Sequence, residues 1–328
     1  MKKIACCGYH YTGSGVIDDI FRECDNVYQG TYEAEVSLLQ AVDGVSDLEY
    51  HLVENPSRLS SGVAIKRFLA MIDRNSRQLR KIVGKDGVDL CYEYAKSLAL
   101  IHYHGYMSGD VLFFTPPQKL QWYFHKILKK LLRKCYKYPQ DSNIVPSVMT
   151  YYSRLTESEF LEKTRAFVEK LCYKANRENK EYIMLDQFIG TGNPARYVRY
   201  VDDIKAIIVD RDPRDLYINR ISKNDRVLPK EPHEFCIHYR NIRKTIGSIP
   251  EDKVMVINFS DLIYHYDEYV QRVFDFVGMD RSHHIAPRTH FNPDISVKGT
   301  KMWERFPEYA DAVRIIEKEL PEFLYKYE

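Results

Sequence analysis

The chain has no Cys-x-x-Cys pair, and its 11 histidines form no cluster with zinc-ligand spacing, so no metal site is expected. Seven cysteines, at 6, 7, 24, 91, 135, 172 and 236, give an odd count. That speaks against a disulfide framework, and reduced thiols in a cytoplasmic setting are the expectation. No apolar stretch reaches the length of a membrane helix. The start, MKKIACCGYH, holds only a four-residue apolar run, too short for the core of a secretory signal. Charge of one sign is also missing. Lys and Arg total 48 against 46 Asp and Glu, a net charge of +2, so nothing global points to nucleic acid. Repeats and low-complexity linkers are absent.

What is present suits an α/β protein. The chain has 328 residues, 45% of them hydrophobic, enough for one large core or two smaller ones. Tyrosine is abundant, at 26 residues. Many tyrosines are interleaved with Lys and Arg, a surface suited to sugars, planar ligands or anions. The longest basic run, Lys126–Lys137, is local.

Ala206–Val209 is a short β-branched run that reads as a buried strand. Asp210–Asp215, the charged turn DRDPRD, follows it. A helix then opens, with Leu216, Asn219 and Arg220 spaced by three and four residues. This layout gathers guanidinium groups and free N–H groups at one place, an anion site. The alternative is a solvated turn with internal Arg–Asp pairs, and Arg214 is assigned to such a pair with Asp210 or Asp215. A second anion site is read at the N-terminus. Lys3–Cys7 is a strand, Gly8–Gly15 a Gly-rich loop, and Val16, Ile17, Ile20 and Phe21 mark a helix. The loop starts G-x-x-x-x-G, like a P-loop, but Ser14 stands where the P-loop Lys belongs. An ordinary nucleoside triphosphatase is therefore disfavoured, and a plain tight turn is the competing reading.

Further strands are expected at Tyr182–Leu185 and Val254–Ile257, with a short one at Tyr50–Val53. Helices are expected over 61–80, 157–175 (Thr156 and Glu159 forming a capping box), 232–246, and from about 259 to Val277, where Gly278 stops the last. Residues 90–140, rich in Tyr and His, show little strand character. They read as part of a helical insertion over 61–150 on the acceptor side. Within it, 119–137 is an amphipathic basic helix. It either packs with a basic outer face or makes a peripheral contact with an anionic membrane. The sum is a doubly wound parallel sheet with strand ends at 7, 186, 210 and 258 along one edge.

Four segments, in this order, resemble the PAPS-dependent sulfotransferases, a family with a P-loop-like α/β fold. The Gly8–Gly15 loop resembles their 5′-phosphosulfate loop, and RDPRD their 3′-phosphate segment. VMVINFSDLIYHYDEYVQRVFDFVG resembles the strand and helix that follow. FNPDISVKGTKMW, with its Lys298-Gly299 step, resembles the C-terminal lid. The resemblance implies one sulfotransferase domain over 1–328, with 3′-phosphoadenosine 5′-phosphosulfate (PAPS) as donor, PAP as product and no metal.

On the same resemblance, Tyr9, His10, Tyr11, Thr12, Gly13, Ser14 and Gly15 hold the 5′ end of the donor. Arg211 holds the 3′-phosphate together with Asn219, which stands where the family has a Ser; the nearest Ser is Ser222. Phe259 lies near the adenine, and Lys298 and Gly299 close over the 3′ end. The Lys or Arg that the family carries in the first loop is replaced here by Tyr11, preceded by His10. His10, or a lid lysine such as Lys301, is the substitute considered. Asp186, 25 residues before Arg211, is taken as the general base, with Gln187 orienting the reactants; His102 and His104 are reserves. The acceptor is a hydroxyl of a sterol-like molecule or a glycan. The rival readings are a P-loop-like nucleotide kinase or phosphotransferase, and a non-catalytic nucleotide- or glycan-binding protein.

Overall fold

The computed structural model describes residues 1–29, 37–57, 59–132 and 146–327. The chain divides into two compact units, Met1–Gln40 with Val168–Glu328, and Ala41–Phe167.

The first stretch of chain forms β1 (Lys2–Gly8), α1 (Gly15–Arg22) and β2 (Val27–Gln29). The unit Ala41–Phe167 holds α2 (Val45–Glu49), α3 (Ser60–Ser97), β3 (Ile101–Gly105), α4 (Pro116–Leu132), β4 (Val148–Tyr152) and the start of α5 (Glu157–Ala175). After α5 come β5 (Tyr182–Asp186), α6 (Pro194–Tyr197), β6 (Ile204–Asp210), α7 (Pro213–Ile221), α8 (Pro232–Ile242) and β7 (Val254–Asn258). The chain closes with α9 (Phe259–Tyr264), α10 (Tyr266–Val277), α11 (Pro293–Ser296) and α12 (Ala310–Glu319).

Five strands make a parallel sheet in the order β2-β5-β1-β6-β7. The central strands are near-continuous apolar runs because both of their faces are buried, the pattern a parallel sheet demands. Ile4, Cys6, Met184, Ile207 and Val209 pack against Ile17, Ile20 and Phe21 of α1 and against Val270, Val273 and Phe274 of α10. Ala5, Cys7, Ile183, Leu185, Ala206 and Ile208 fill the opposite face and are equally buried. Registers such as Cys6 opposite Asp186 and Asp210 opposite Asn258 align the strand ends. The four ends anticipated at one edge of the sheet are found there.

Local chemistry explains the helix boundaries. Asp212 caps α7 by accepting from the Arg214 N–H, ahead of Pro213 at the first helical position. Thr156 and Glu159 form the expected reciprocal box at the start of α5. Gly278 ends α10 with φ 68°, a left-handed conformation that glycine adopts without a side-chain clash. Two helices are shorter than read from sequence. The helix from Pro232 stops at Ile242, where the Arg243 side chain turns onto Asp210. The one after β7 is broken at His265 into α9 and α10.

Two expectations in the Ala41–Phe167 unit are corrected. Tyr50–Val53 is not a strand: Tyr50–Glu54 is a π-helical turn continuing α2. Val45, Leu48 and Leu52 recur at helical spacing and are buried together. The insertion is also not wholly helical, because β3 runs through the Tyr- and His-rich segment and pairs antiparallel with β4, His102 opposite Tyr151. Every side chain from Ile101 to His104 is exposed, so the strand lacks the apolar alternation that would betray it. The α3 backbone meets β4 at Gly62, where a Cβ would lie 2.5 Å from the Tyr151 carbonyl oxygen. The expected helix over 119–137 is α4 up to Leu132; residues 133–137 lie outside the described residues. Among the described residues, no helix is long and apolar enough to cross a membrane.

Candidate anion-binding site at the strand ends

A cavity of about 810 Å³ opens at the carboxyl ends of β1, β5 and β6, lined by Gly8–Tyr11, Gly13–Gly15, Gln40, Asp186, Gln187, Asn219 and Arg220, among others. All of these belong to the unit containing the parallel sheet. The first loop, Asp186, Gln187 and Asn219 are thus brought to one place.

The loop is held in an unusual backbone. His10 and Tyr11 have φ of 57° and 55°, and Gly13 has φ of 97°. Gly13 is required, because a Cβ there would lie 2.7 Å from the Phe259 ring. Thr12 is fully committed: its hydroxyl donates to the Val209 carbonyl at 2.5 Å and accepts from the Tyr9 N–H at 3.1 Å. The expectation that the Thr12 hydroxyl serves a ligand is therefore corrected; it ties the loop to β6. Among the described residues, the N–H groups of His10 to Gly15 have no protein partner. Five of these six residues, all but Thr12, line the cavity just ahead of or at the start of α1, a layout suited to an oxyanion.

Asp186 and Gln187 meet this loop. Gln187 donates from Nε2 to Ser14 Oγ and to Asp186 Oδ1, each at 3.3 Å. Its main chain is fixed at both ends, with N–H donating to the Cys6 carbonyl and C=O accepting from Gln40. The Cys6 thiol donates to Asp186 Oδ1 at 3.2 Å. Burial raises the pKa of Asp186, opposed by the bonds from Cys6 and Gln187. A carboxyl with a raised pKa and a face on a cavity has the properties of a proton acceptor.

A second carboxyl was not anticipated. Asp18 of α1 is buried, and its Oδ1 has no partner. Burial first, then the charge of Asp186, pushes its pKa up to about 7. The only signal was an Asp beside Ile17 and three residues before Phe21, on the helical face that packs inward. The raised value means the folded state binds a proton that the unfolded chain releases near pH 4, so Asp18 lowers stability as pH rises from about 4 to 7. Asp18→Asn is expected to flatten that decline, by on the order of 4 kcal/mol at pH 8. Denaturant midpoints of both proteins at pH 5 and pH 8 check this; parallel pH profiles would show that Asp18 is ionised throughout.

The arginines of the charged turn divide by their partners. Arg214 is locked to Asp212 through Nε at 3.0 Å and NH2 at 2.8 Å, and to Glu317 at 2.9 Å. It is structural, as anticipated, but its partners are not Asp210 or Asp215. Asp210 instead receives Arg243, while Asp215 accepts from the Met302 N–H and the Tyr327 hydroxyl.

Arg211 differs. It is 5% exposed, its NH2 donates to the Gly299 carbonyl, and its Nε has no partner. It lies over the Phe259 ring at 4.9 Å. Burial lowers its pKa, opposed by the charges of Asp215 and Asp212, and among the described residues no carboxylate is hydrogen-bonded to its guanidinium. Phe259 therefore neighbours both Gly13 and Arg211, and Gly299 lies against Phe259 and Arg211. Arg211 itself does not line the cavity.

Arg220 brings a guanidinium to the first loop. It lines the cavity and stacks over the Tyr11 ring at 3.4 Å, while pairing with Asp225. Arg243 similarly lies over Tyr9, at 4.7 Å. Arg220 was named from the sequence as part of the helix at the anion site, without a partner or a role toward the first loop; Arg243 was not singled out. The signal lay in the tyrosines of the loop, whose faces attract guanidinium groups.

The lid residues are placed less directly. Lys298 is exposed and offers only its carbonyl, to Arg305. Lys301 lies over Tyr264 and Tyr327. The His10 ring faces His238 at 6.3 Å. Ser222 is exposed and bonds back to the Asn219 carbonyl. His102 and His104 are exposed on β3. Among the described residues, no group of three or more His, Cys, Asp or Glu is placed to hold a metal ion.

No family model matches the chain, and no curated protein matches it. Among solved structures, the chain is similar to the sulfotransferase domain of the Synechococcus PCC 7002 olefin synthase, at 11% identity, covering 100% of this chain and 95% of that one, with a TM-score of 0.36. At that score the superposition carries no argument. The mixed α/β architecture with its parallel sheet stands on the strand pairing described above.

Proposed function

We propose that the protein transfers a sulfuryl group from PAPS to an acceptor hydroxyl. The observation that carries this reading is the buried Arg211 with its orphan Nε, joined through Phe259 to a loop with six free N–H groups. Two anion sites bridged by an aromatic ring suit a nucleoside bearing phosphate at both ends. The four sequence segments that resemble the sulfotransferases supply the components of this arrangement in the family's order.

PAPS supplies an activated sulfuryl group, and the chain's residues supply position, charge and proton transfer. The N–H groups of His10–Gly15 bind the 5′ end, and Arg211 binds the 3′-phosphate once the Gly299 carbonyl yields to it. Asn219 lines the same cavity and adds an amide donor. Asp186 takes the proton from the acceptor hydroxyl, which makes the oxygen a better nucleophile in an in-line displacement. Gln187 orients the Asp186 carboxyl. Charge that collects on the departing phosphate oxygen is met by the loop N–H groups and by Arg220, which takes the part of the absent loop lysine.

The test has two steps. Adenosine 3′,5′-bisphosphate is expected to raise the melting temperature, and labelled PAPS to transfer label to a member of a panel of sterols and glycans. Asp186→Asn is expected to cut the transfer rate by about 10²–10⁴-fold, the range for loss of a general base, with bisphosphate affinity kept. No stabilisation by the bisphosphate sinks the reading. Stabilisation by magnesium–ATP instead would favour a phosphotransferase.

A further inference from the structure

Helix α4, in the Ala41–Phe167 unit, buries only His125. Leu120 is 73% exposed, Phe124 58%, Ile127 58% and Leu131 64%. They follow one another at spacings of four, three and four residues, so they form a single stripe, with Tyr123 beside it. Lys119, Lys126 and Lys130 have the same helical spacing and make a row along one border of the stripe; all three are exposed. Lys129 is exposed too, but it stands two residues from both Ile127 and Leu131 and so lies on the side of the helix away from the stripe. Trp122 lies under the Lys126 ammonium at 3.6 Å and donates to the Tyr106 hydroxyl. No Asp or Glu occurs from Val111 to Leu132.

We propose that this face of α4 docks on an anionic lipid bilayer, with the helix lying in the plane of the interface. Leucine, isoleucine and phenylalanine on the exposed stripe enter the boundary between headgroups and acyl chains. The lysine row meets anionic headgroups, and Tyr123, between the row and the stripe, sits at the depth where amphipathic rings are favoured. The charge selects this occupant. A second copy docked face to face through the same stripe would set lysine row against lysine row. A nucleic acid would neutralise the lysines and leave the leucines in water.

The full-length chain is to be sedimented with vesicles of phosphatidylcholine alone and of phosphatidylcholine with phosphatidylserine. Binding is expected to the mixed vesicles and to weaken as salt rises. The triple variant Lys119→Ser, Lys126→Ser, Lys130→Ser is expected to lose on the order of 100-fold in affinity for them, about fivefold per lysine. The triple variant Leu120→Gln, Phe124→Gln, Ile127→Gln is expected to abolish binding. All six side chains are exposed, so melting temperatures should match the parent and confirm that both variants are folded. Absence of binding to the mixed vesicles overturns the proposal, as does unchanged binding by the glutamine variant. Concentration-dependent self-association that the glutamine variant removes, without vesicle binding by the parent, would assign the face to a second copy instead.

Discussion

Arg211→Ala is expected to weaken adenosine 3′,5′-bisphosphate binding by at least about 100-fold, because two buried charge-assisted hydrogen bonds of roughly 1.5–3 kcal/mol each are lost. The ligand-free protein is expected to melt no lower than the parent. A guanidinium that is 5% exposed, with a carbonyl for its hydrogen-bond partner and Nε unmatched, costs desolvation that the charges of Asp215 and Asp212 and the Phe259 ring offset only in part. Calorimetric titration and thermal melting of the same two proteins separate these effects. Unchanged affinity would remove Arg211 from the 3′ site, and a large fall in ligand-free stability would make it a structural residue.

Three residues on, Arg214→Ala is expected to do the reverse. Asp212 is 0% exposed and is held by Arg214 through two side-chain hydrogen bonds. Removing one partner of a buried ion pair strands the other charge, at a cost of about 3–5 kcal/mol. Arg214 also stacks over Trp303 at 3.7 Å and reaches Glu317, so α12 and the segment at 302–304 loosen with it. A fall in melting temperature on the order of 10 °C is expected. The fraction that stays folded should bind the bisphosphate with parental affinity. A variant as stable as the parent would show that Asp212 finds another partner, most simply the Tyr325 N–H that already reaches it.

These two arginines mark how far the sequence could be read. Their placement at the end of β6 followed from an apolar run meeting a charged turn, and the parallel sheet followed from four such runs. Which arginine is paired depends on Glu317 and on the cap at Asp212, and no local pattern reports a contact 103 residues away. Asp18 was missed, and Arg220 was named without its link to the first loop, for the same reason: their surroundings are set by Asp186 and by Tyr11, neighbours in space on other elements. The Thr12 hydroxyl was misread because a polar residue in a Gly-rich loop looks available until the Val209 carbonyl is seen above it. The β3–β4 pair escaped because the β3 side chains face solvent and the partner strand lies more than 40 residues along the chain.

Gln187 has a mechanical consequence. One amide group spans Ser14 of the phosphate loop and the Asp186 carboxyl, and the backbone carrying it is pinned to Cys6 and Gln40. The carboxyl therefore has little freedom to turn unless the loop turns too. The first loop and the Asp186 carboxyl are joined through this one amide, so a change at either one is expected to reach the other without any change in the sheet beneath them.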